Sequence, residues 1–122
     1  MIKAFYLIRK DLQMSATKLG IQIGHGTDII HLEANPDAQG QLEFARFKGW
    51  LAADRRKIVL GVKTLEKLMN LAKSLEEAKI PYDIIRDKGY TEFDGVETVT
   101  GLIILPIEKE ELPKNVRRLR KL

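Results

Sequence analysis

The stretch Arg9–Gly26, RKDLQMSATKLGIQIGHG, decides the fold. It begins where the apolar run Ile2–Ile8, IKAFYLI, ends in charges, the pattern of a strand covered on both faces in the interior of a sheet. The chain then turns through Arg9–Met14. Ser15 is placed to cap a helix reaching to about Ala34, where Asn35-Pro36 stops it. A buried strand feeding a long helix opens an α/β arrangement. Within that helix Lys18, Gln22 and His25 stand at i, i+4 and i+7, so a lysine, an amide and an imidazole share one face.

Downstream, Pro36–Gln41 reads as a polar loop. Phe44, Phe47 and Leu51, with Trp50 beside them, recur at helical spacing. Lys57–Val62, KIVLGV, reads as a second buried strand. Thr64 caps a third helix whose core stripe is expected at Leu65, Leu68, Met69, Ala72 and Leu75. Ile80–Ile85 is a third strand with Pro81 at its start or on an edge, and Arg86–Glu97 a polar loop. Thr98–Leu105 is a fourth strand that Pro106 closes, and Pro113 starts a short terminal helix. The expected order is β-α-α-β-α-β-β-α. Helices between the first three strands imply parallel crossovers, and the last strand, reached without a helix, is expected antiparallel. The fold class is thus α/β: a compact mixed four-stranded sheet, three parallel strands plus one antiparallel, flanked by helices on both faces.

At 122 residues the chain is expected to be one domain, 1–122, and its 44% apolar and 31% charged content is that of a folded globular protein. The absence of cysteine excludes disulfides, thiolate catalysis and cysteine-ligated zinc. No stretch has the length of a membrane span or the pattern of a signal peptide, so a cytoplasmic location and no membrane partner are expected. The net charge of +4 is concentrated in the last ten residues, PKNVRRLRKL, whose five basic side chains leave the rest of the chain near −1. Such a segment suits a polyanion, and equally describes a solvated helix face or a frayed tail.

In an open α/β sheet the functional crevice lies beyond the carboxyl ends of the parallel strands. Arg9, Asp11 and the start of the Lys18 helix follow one such end, Asp87 and Gly89 follow another, and an antiparallel last strand brings Thr98 to the same rim. Lys18 sits in the first turn of a helix whose N-terminus is already partly positive. It reads either as half of a phosphate site or as a solvated surface lysine. His25 by itself is a packed or surface histidine, and Asp87 an ordinary turn carboxylate. Gly20 and Gly24 most simply allow close packing, and Trp50 is a core aromatic.

Together these residues resemble a known family. Arg9-x-Asp11-Leu12-x-Met14 followed by Lys18, Gln22 and His25 is similar to the N-terminal signature of the type 2 peptidyl-tRNA hydrolases. Trp50, Lys57-Ile58-Val59, Asp87-x-Gly89-x-Thr91 and Thr98-Val99-x-Gly101 follow in the same order, so the likeness runs from the first strand to the last. It implies a compact α/β enzyme that hydrolyses the ester between a peptide and the 3′ ribose of tRNA, without metal or organic cofactor and commonly as a homodimer. Lys18, His25, Asp87, Thr91 and Thr98 are the implied catalytic residues, with Gln22 in the same patch. Asp87 would orient or deprotonate a water that Thr91 or Thr98 helps hold, and Lys18 would meet a phosphate or the developing charge. His25 and Gln22 would bond the 3′ nucleotide or peptide backbone. Arg9, Lys88, Tyr90, Arg117, Arg118 and Arg120 would contact the acceptor end.

The chain departs from the family pattern in the loop. Asp87-Lys88-Gly89-Tyr90-Thr91 stands where the family reads Asp-Ala-Gly-Arg-Thr, and Val96 replaces a serine two residues before Thr98. Gly26 replaces a small residue, and Ile23 and Gly24 stand where a cysteine is often found nearby. Lys88 would restore the missing charge, or Tyr90 would stack on a base. These departures keep open a catalytically altered tRNA-binding or adaptor protein on the same fold. A small phosphate-binding enzyme of unrelated substrate is the further alternative, although no Walker or GxGxxG loop supports it.

Overall fold

The structure, a computed structural model, describes residues 1–34, 41–90 and 92–122. Strand β1 (Ile2–Arg9) leads into helix α1 (Ala16–Glu33), followed by α2 (Gln41–Ala52), β2 (Lys57–Val62), α3 (Leu65–Glu77), β3 (Tyr82–Asp87) and β4 (Thr98–Glu108). A one-turn 3₁₀ helix, Lys109–Glu111, absent from the expected order, precedes α4 (Lys114–Arg117). Most of the loop expected over Pro36–Gln41 lies outside the described residues, and Gln41 itself opens α2.

The four strands lie in the order β2-β1-β4-β3. This corrects the expectation of three parallel strands plus one: only β1 and β2 pair parallel, because β4 inserts between β1 and β3 and pairs antiparallel with both. The reason is burial. β4 is the longest strand and has eight consecutive buried residues, Thr100–Ile107, so it takes a central position, while the shorter, partly exposed β3 takes the edge. Its insertion keeps the carboxyl ends of β1 and β3 and the start of β4 on one rim.

Two boundary expectations also change. Pro106 does not end β4. The β1 ladder shifts register between Lys3 and Phe5, opposite Pro106, and a bulge accommodates a residue with no N–H to donate. β3 begins after Pro81 rather than at Ile80, whose N–H bonds back to Leu75 O at 3.0 Å, and it extends through Asp87. Asp87 therefore belongs to a strand end, held by pairing with Thr98, and not to the loop.

Helices cover both faces. On one, Leu68, Leu71, Ala72 and Leu75 of α3 and Val116 of α4 pack on Phe5, Leu7, Leu102 and Ile104. Leu65 and Met69, expected in that stripe, fall to its flank and are about two-fifths exposed. On the other face Ile30 and Trp50 pack on Tyr6, Ile8 and Ile103, and the fully buried Trp50 indole donates to Arg56 O at 2.8 Å. The basic tail is neither a free helix face nor frayed. Gly61 N donates to Arg120 O and Leu122 N to Val59 O, both at 3.0 Å, so the tail covers the outer edge of β2. Among the described residues no helix is long and apolar enough to cross a membrane.

Candidate active site

Helix α1 turns a row of small and polar residues toward the sheet. Its buried positions are Lys18, Gln22, Gly26 and Ile30, a strict i+4 row, with His25 beside the row and 43% exposed at the side chain. Gly20 and Gly24 face open space. Gly26 is the packing glycine, since a Cβ there would stand 2.8 Å from the Tyr6 ring. That close approach lets Lys18 and Gln22 reach the ends of β3 and β4.

They meet Asp87. Lys18 Nζ lies 2.9 Å from Asp87 Oδ1, and both side chains are about 95% buried. The Gly89 N–H donates to the same oxygen at 2.7 Å, and Gln22 Nε2 donates to Oδ2 at 2.7 Å. Because a carboxylate only accepts, the Gln22 amide nitrogen must face it. The amide oxygen then accepts from the Thr100 hydroxyl at 2.7 Å. Gly89 adopts φ +81°, and a Cβ on it would stand 2.4 Å from Val96 O, so this loop needs glycine to bring its N–H to Asp87. Burial pushes the Asp87 carboxyl up, but the hydrogen bonds from Gln22, Lys18 and Gly89 and the Lys18 charge outweigh it and hold the pKa at about 2. Asp87 is thus a fixed anion with both oxygens engaged.

His25 Nε2 stands 3.7 Å from Asp87 Oδ2, just beyond direct hydrogen bonding. With Lys18, Ile21, Asp87, Lys88 and Tyr90 it lines an open cleft of about 240 Å³. Tyr90 is 88% exposed at the mouth, and Lys88 reaches Glu97 at 3.5 Å in solvent.

Several expected residues stand elsewhere or are otherwise engaged. Arg9 is clamped to Asp11 at 2.7 and 3.0 Å and to Val99 O at 2.9 Å, which ties the β1–α1 turn to β4. The positive end of α1 is occupied by the protein itself: Ser15 caps Lys18 N, and its hydroxyl donates to Glu92. Lys18, offered by the sequence as half of a phosphate site or as a surface lysine, is buried and paired with Asp87. Thr98 pairs with Asp87 across the ladder but donates its hydroxyl to Val96 O at 3.0 Å. Thr91 lies outside the described residues. Arg118 and Arg120 line a separate hollow with Lys10, and Arg117 another with Lys3.

Sequence reasoning missed Thr100, Phe93 and Glu92. Thr100 is the extra residue where the β3–β4 register shifts between Ile85 and Arg86, a bulge of the kind that re-aims side chains beside sites. Its signal was present, since Thr-Val-Thr gives period-2 partners at 98 and 100. Phe93, whose ring lies 5.1 Å from Lys18 Nζ, carried no comparable pattern.

The profile of the family described as peptidyl-tRNA hydrolase PTH2 matches residues 2–122. The chain belongs to this family. It is similar to a peptidyl-tRNA hydrolase of Thermococcus sibiricus, 30% identical over 118 residues that cover 97% of this chain and 95% of the relative. One from Methanopyrus kandleri is 32% identical over 114 residues, covering 93% and 92%. A probable peptidyl-tRNA hydrolase 2 of Caenorhabditis elegans is 31% identical over 101 residues, 82% of this chain but 31% of that longer protein. In this peptidyl-tRNA hydrolase family member, the buried Lys18–Asp87–Gln22–Thr100 network lies directly beneath the cleft.

Proposed function

We infer that this chain is a peptidyl-tRNA hydrolase, cleaving the ester between a peptide or N-blocked aminoacyl group and the 3′ ribose of tRNA and so recycling peptidyl-tRNA. The family match across residues 2–122 carries this reading, and the cleft over Asp87 supplies a place for the chemistry.

The expectation that Asp87 either orients or deprotonates the water narrows to the first role. A carboxylate with both oxygens bonded and a pKa of about 2 is a poor proton acceptor at neutral pH. Imidazole is the side chain suited to that task, and His25 is the one at the cleft. His25 takes a proton from a water as its oxygen bonds to the ester carbonyl carbon. The tetrahedral intermediate collapses by breaking the bond to the 3′ oxygen, which receives the proton back from the imidazolium. Asp87, 3.7 Å from Nε2, steadies the imidazolium, and Lys18 and Gln22 keep Asp87 ionised and in place. Lys88, which lines the cleft, stabilises the oxyanion. Thr98, paired with Asp87 at the start of β4, helps hold the water. Tyr90 offers a face to the terminal base or to a peptide side chain. A cytoplasmic, homodimeric protein acting as one domain completes the proposal.

The test is cleavage of N-blocked aminoacyl-tRNA with tRNA binding measured in parallel. His25→Gln should lower kcat by roughly 10²- to 10⁴-fold with KM little changed. Binding without any cleavage by the unaltered chain would instead favour the non-catalytic RNA-binding alternative.

A further inference from the structure

A hollow of about 380 Å³ lies away from the Asp87 cleft, on the α3 face of the sheet. Its wall is basic: Lys10 follows β1, Lys63 follows β2, Lys67 rises from α3, and Arg118 and Arg120 come from the docked tail. All five are exposed, and no carboxylate lines the hollow. Among the described residues none of the five joins a salt bridge. Unpaired like charges gathered from four segments repel one another, so the arrangement is favoured when a polyanion lies along it. Asn70 and Asn115 add amides to the lining, and Leu71 and Leu119 add apolar surface.

The hollow meets the sheet rim at Lys10 and Lys63, which follow the carboxyl ends of β1 and β2. Lys10 also lines a second trough of about 250 Å³, with Met14, Leu19 and Leu122, which runs toward the α1 helix. Across the sheet, β2 and β3 are three strand spacings apart, roughly 14 Å. That is about four nucleotides at the axial rise of a helical strand.

We propose that the groove between α3 and the docked C-terminal tail binds backbone phosphates of the acceptor arm of tRNA, so that the RNA crosses the sheet rim at Lys10 with its 3′ end at the Asp87 cleft. This rests on the hydrolase reading and extends it, adding Lys10, Lys63 and Lys67 to the substrate contacts and leaving Arg117 outside the track. Recognition is of phosphate and shape, with no base edge read in the groove.

The experiment measures binding of deacylated tRNA across a salt series for the full chain, for Lys63→Ala/Lys67→Ala, and for a charge-matched control, Lys3→Ala/Lys109→Ala, on the other hollow. The groove variant should bind roughly tenfold more weakly, with its log K against log salt slope shallower by about 1.5, as expected for two lost phosphate contacts. The control should keep the steeper slope. In cleavage assays the KM advantage of full-length substrate over a short 3′-terminal oligonucleotide ester should shrink in the groove variant. Equal slopes for both variants, with melting profiles unchanged, would overturn the proposal. So would an acidic polypeptide that displaces nothing from the tRNA complex yet loses its own binding in the groove variant, since the groove would then serve an acidic protein. Because tRNA binding needs no ester, these outcomes stand even if the chain proves unable to cleave one.

Discussion

Replacing Lys18 by Met leaves the Asp87 carboxylate buried without its closest cation, at a position where the pair is 2.9 Å apart and both side chains are about 95% buried. The folded protein holds the Asp87 pKa at about 2 against an ordinary 3.8, a difference that corresponds to about 2 kcal/mol in favour of the folded, ionised state. For a carboxyl whose folded pKa is depressed, that stabilisation is fully present above about pH 4. It is lost as the pH falls through the folded value near 2. Removing Lys18 withdraws the ammonium and leaves desolvation opposed only by the neutral donors, at a cost of roughly 3–5 kcal/mol at pH 7 for one partner of a buried pair. The cost shrinks in acid, because Asp87 of the variant protonates earlier than in the parent. Urea unfolding followed by fluorescence of the buried Trp50, at pH 7 and in a series down to pH 3, measures both stabilities. The gap should be widest at neutral pH and should narrow as the pH drops. Adding Asp87→Asn to Lys18→Met should recover part of the loss, since no charge is then buried. An unchanged urea midpoint for Lys18→Met at pH 7, or a gap independent of pH, would refute the reasoning.

Other perturbations test other parts of the structure. The Glu33 carboxyl is pushed up to about 7 by burial and by Asp83, so its ionisation weakens the fold as pH rises from about 4.5 to about 7. Glu33→Gln should therefore raise stability at pH 8 and not at pH 4, by roughly 1 kcal/mol after screening, read as a higher Tm at pH 8 alone; equal effects at both would contradict the pairing. Gly89→Ala forces a Cβ against Val96 O and should lower kcat as the loop withdraws its N–H from Asp87, readable as a loss of activity larger than any loss in Tm. Trp50→Ala should cost about 3–5 kcal/mol in thermal unfolding, with Ile30, Tyr6 and Ile103 left around a cavity.

Much of the fold was legible because its signals are local. Ser15 and Thr64 cap their helices by side-chain hydrogen bonds, as their positions before apolar-periodic runs implied, and β2 begins and ends where its apolar run does. The strand order was not legible. Whether β4 lies at an edge or between β1 and β3 depends on comparing the burial of whole strands, and a run such as TVTGLIIL reads the same in either place. Pro106 misled for a related reason, since a bulge that tolerates it is formed by two strands together. At the site, the proximity of Lys18, Gln22, His25 and Asp87 followed from the helix period and the rim argument. Their division of labour did not. That Asp87 is saturated by donors, and that Glu92 fills the α1 N-terminus, depends on loop conformation fixed by Gly89 and on contacts 77 residues apart in sequence. The docking of the tail was not legible because its partner, the free edge of β2, exists only once the sheet has formed.

The most direct measurement of the central claim is a single-turnover reaction of the chain with N-blocked aminoacyl-tRNA in ¹⁸O-water, followed by mass analysis of both products. Attack of water on the acyl carbon, with His25 accepting its proton, predicts one labelled oxygen in the carboxylate of the released amino acid and none in the tRNA, with His25→Gln slowing the release. Label in the ribose, or tRNA that binds and is returned with its ester intact, would contradict the account.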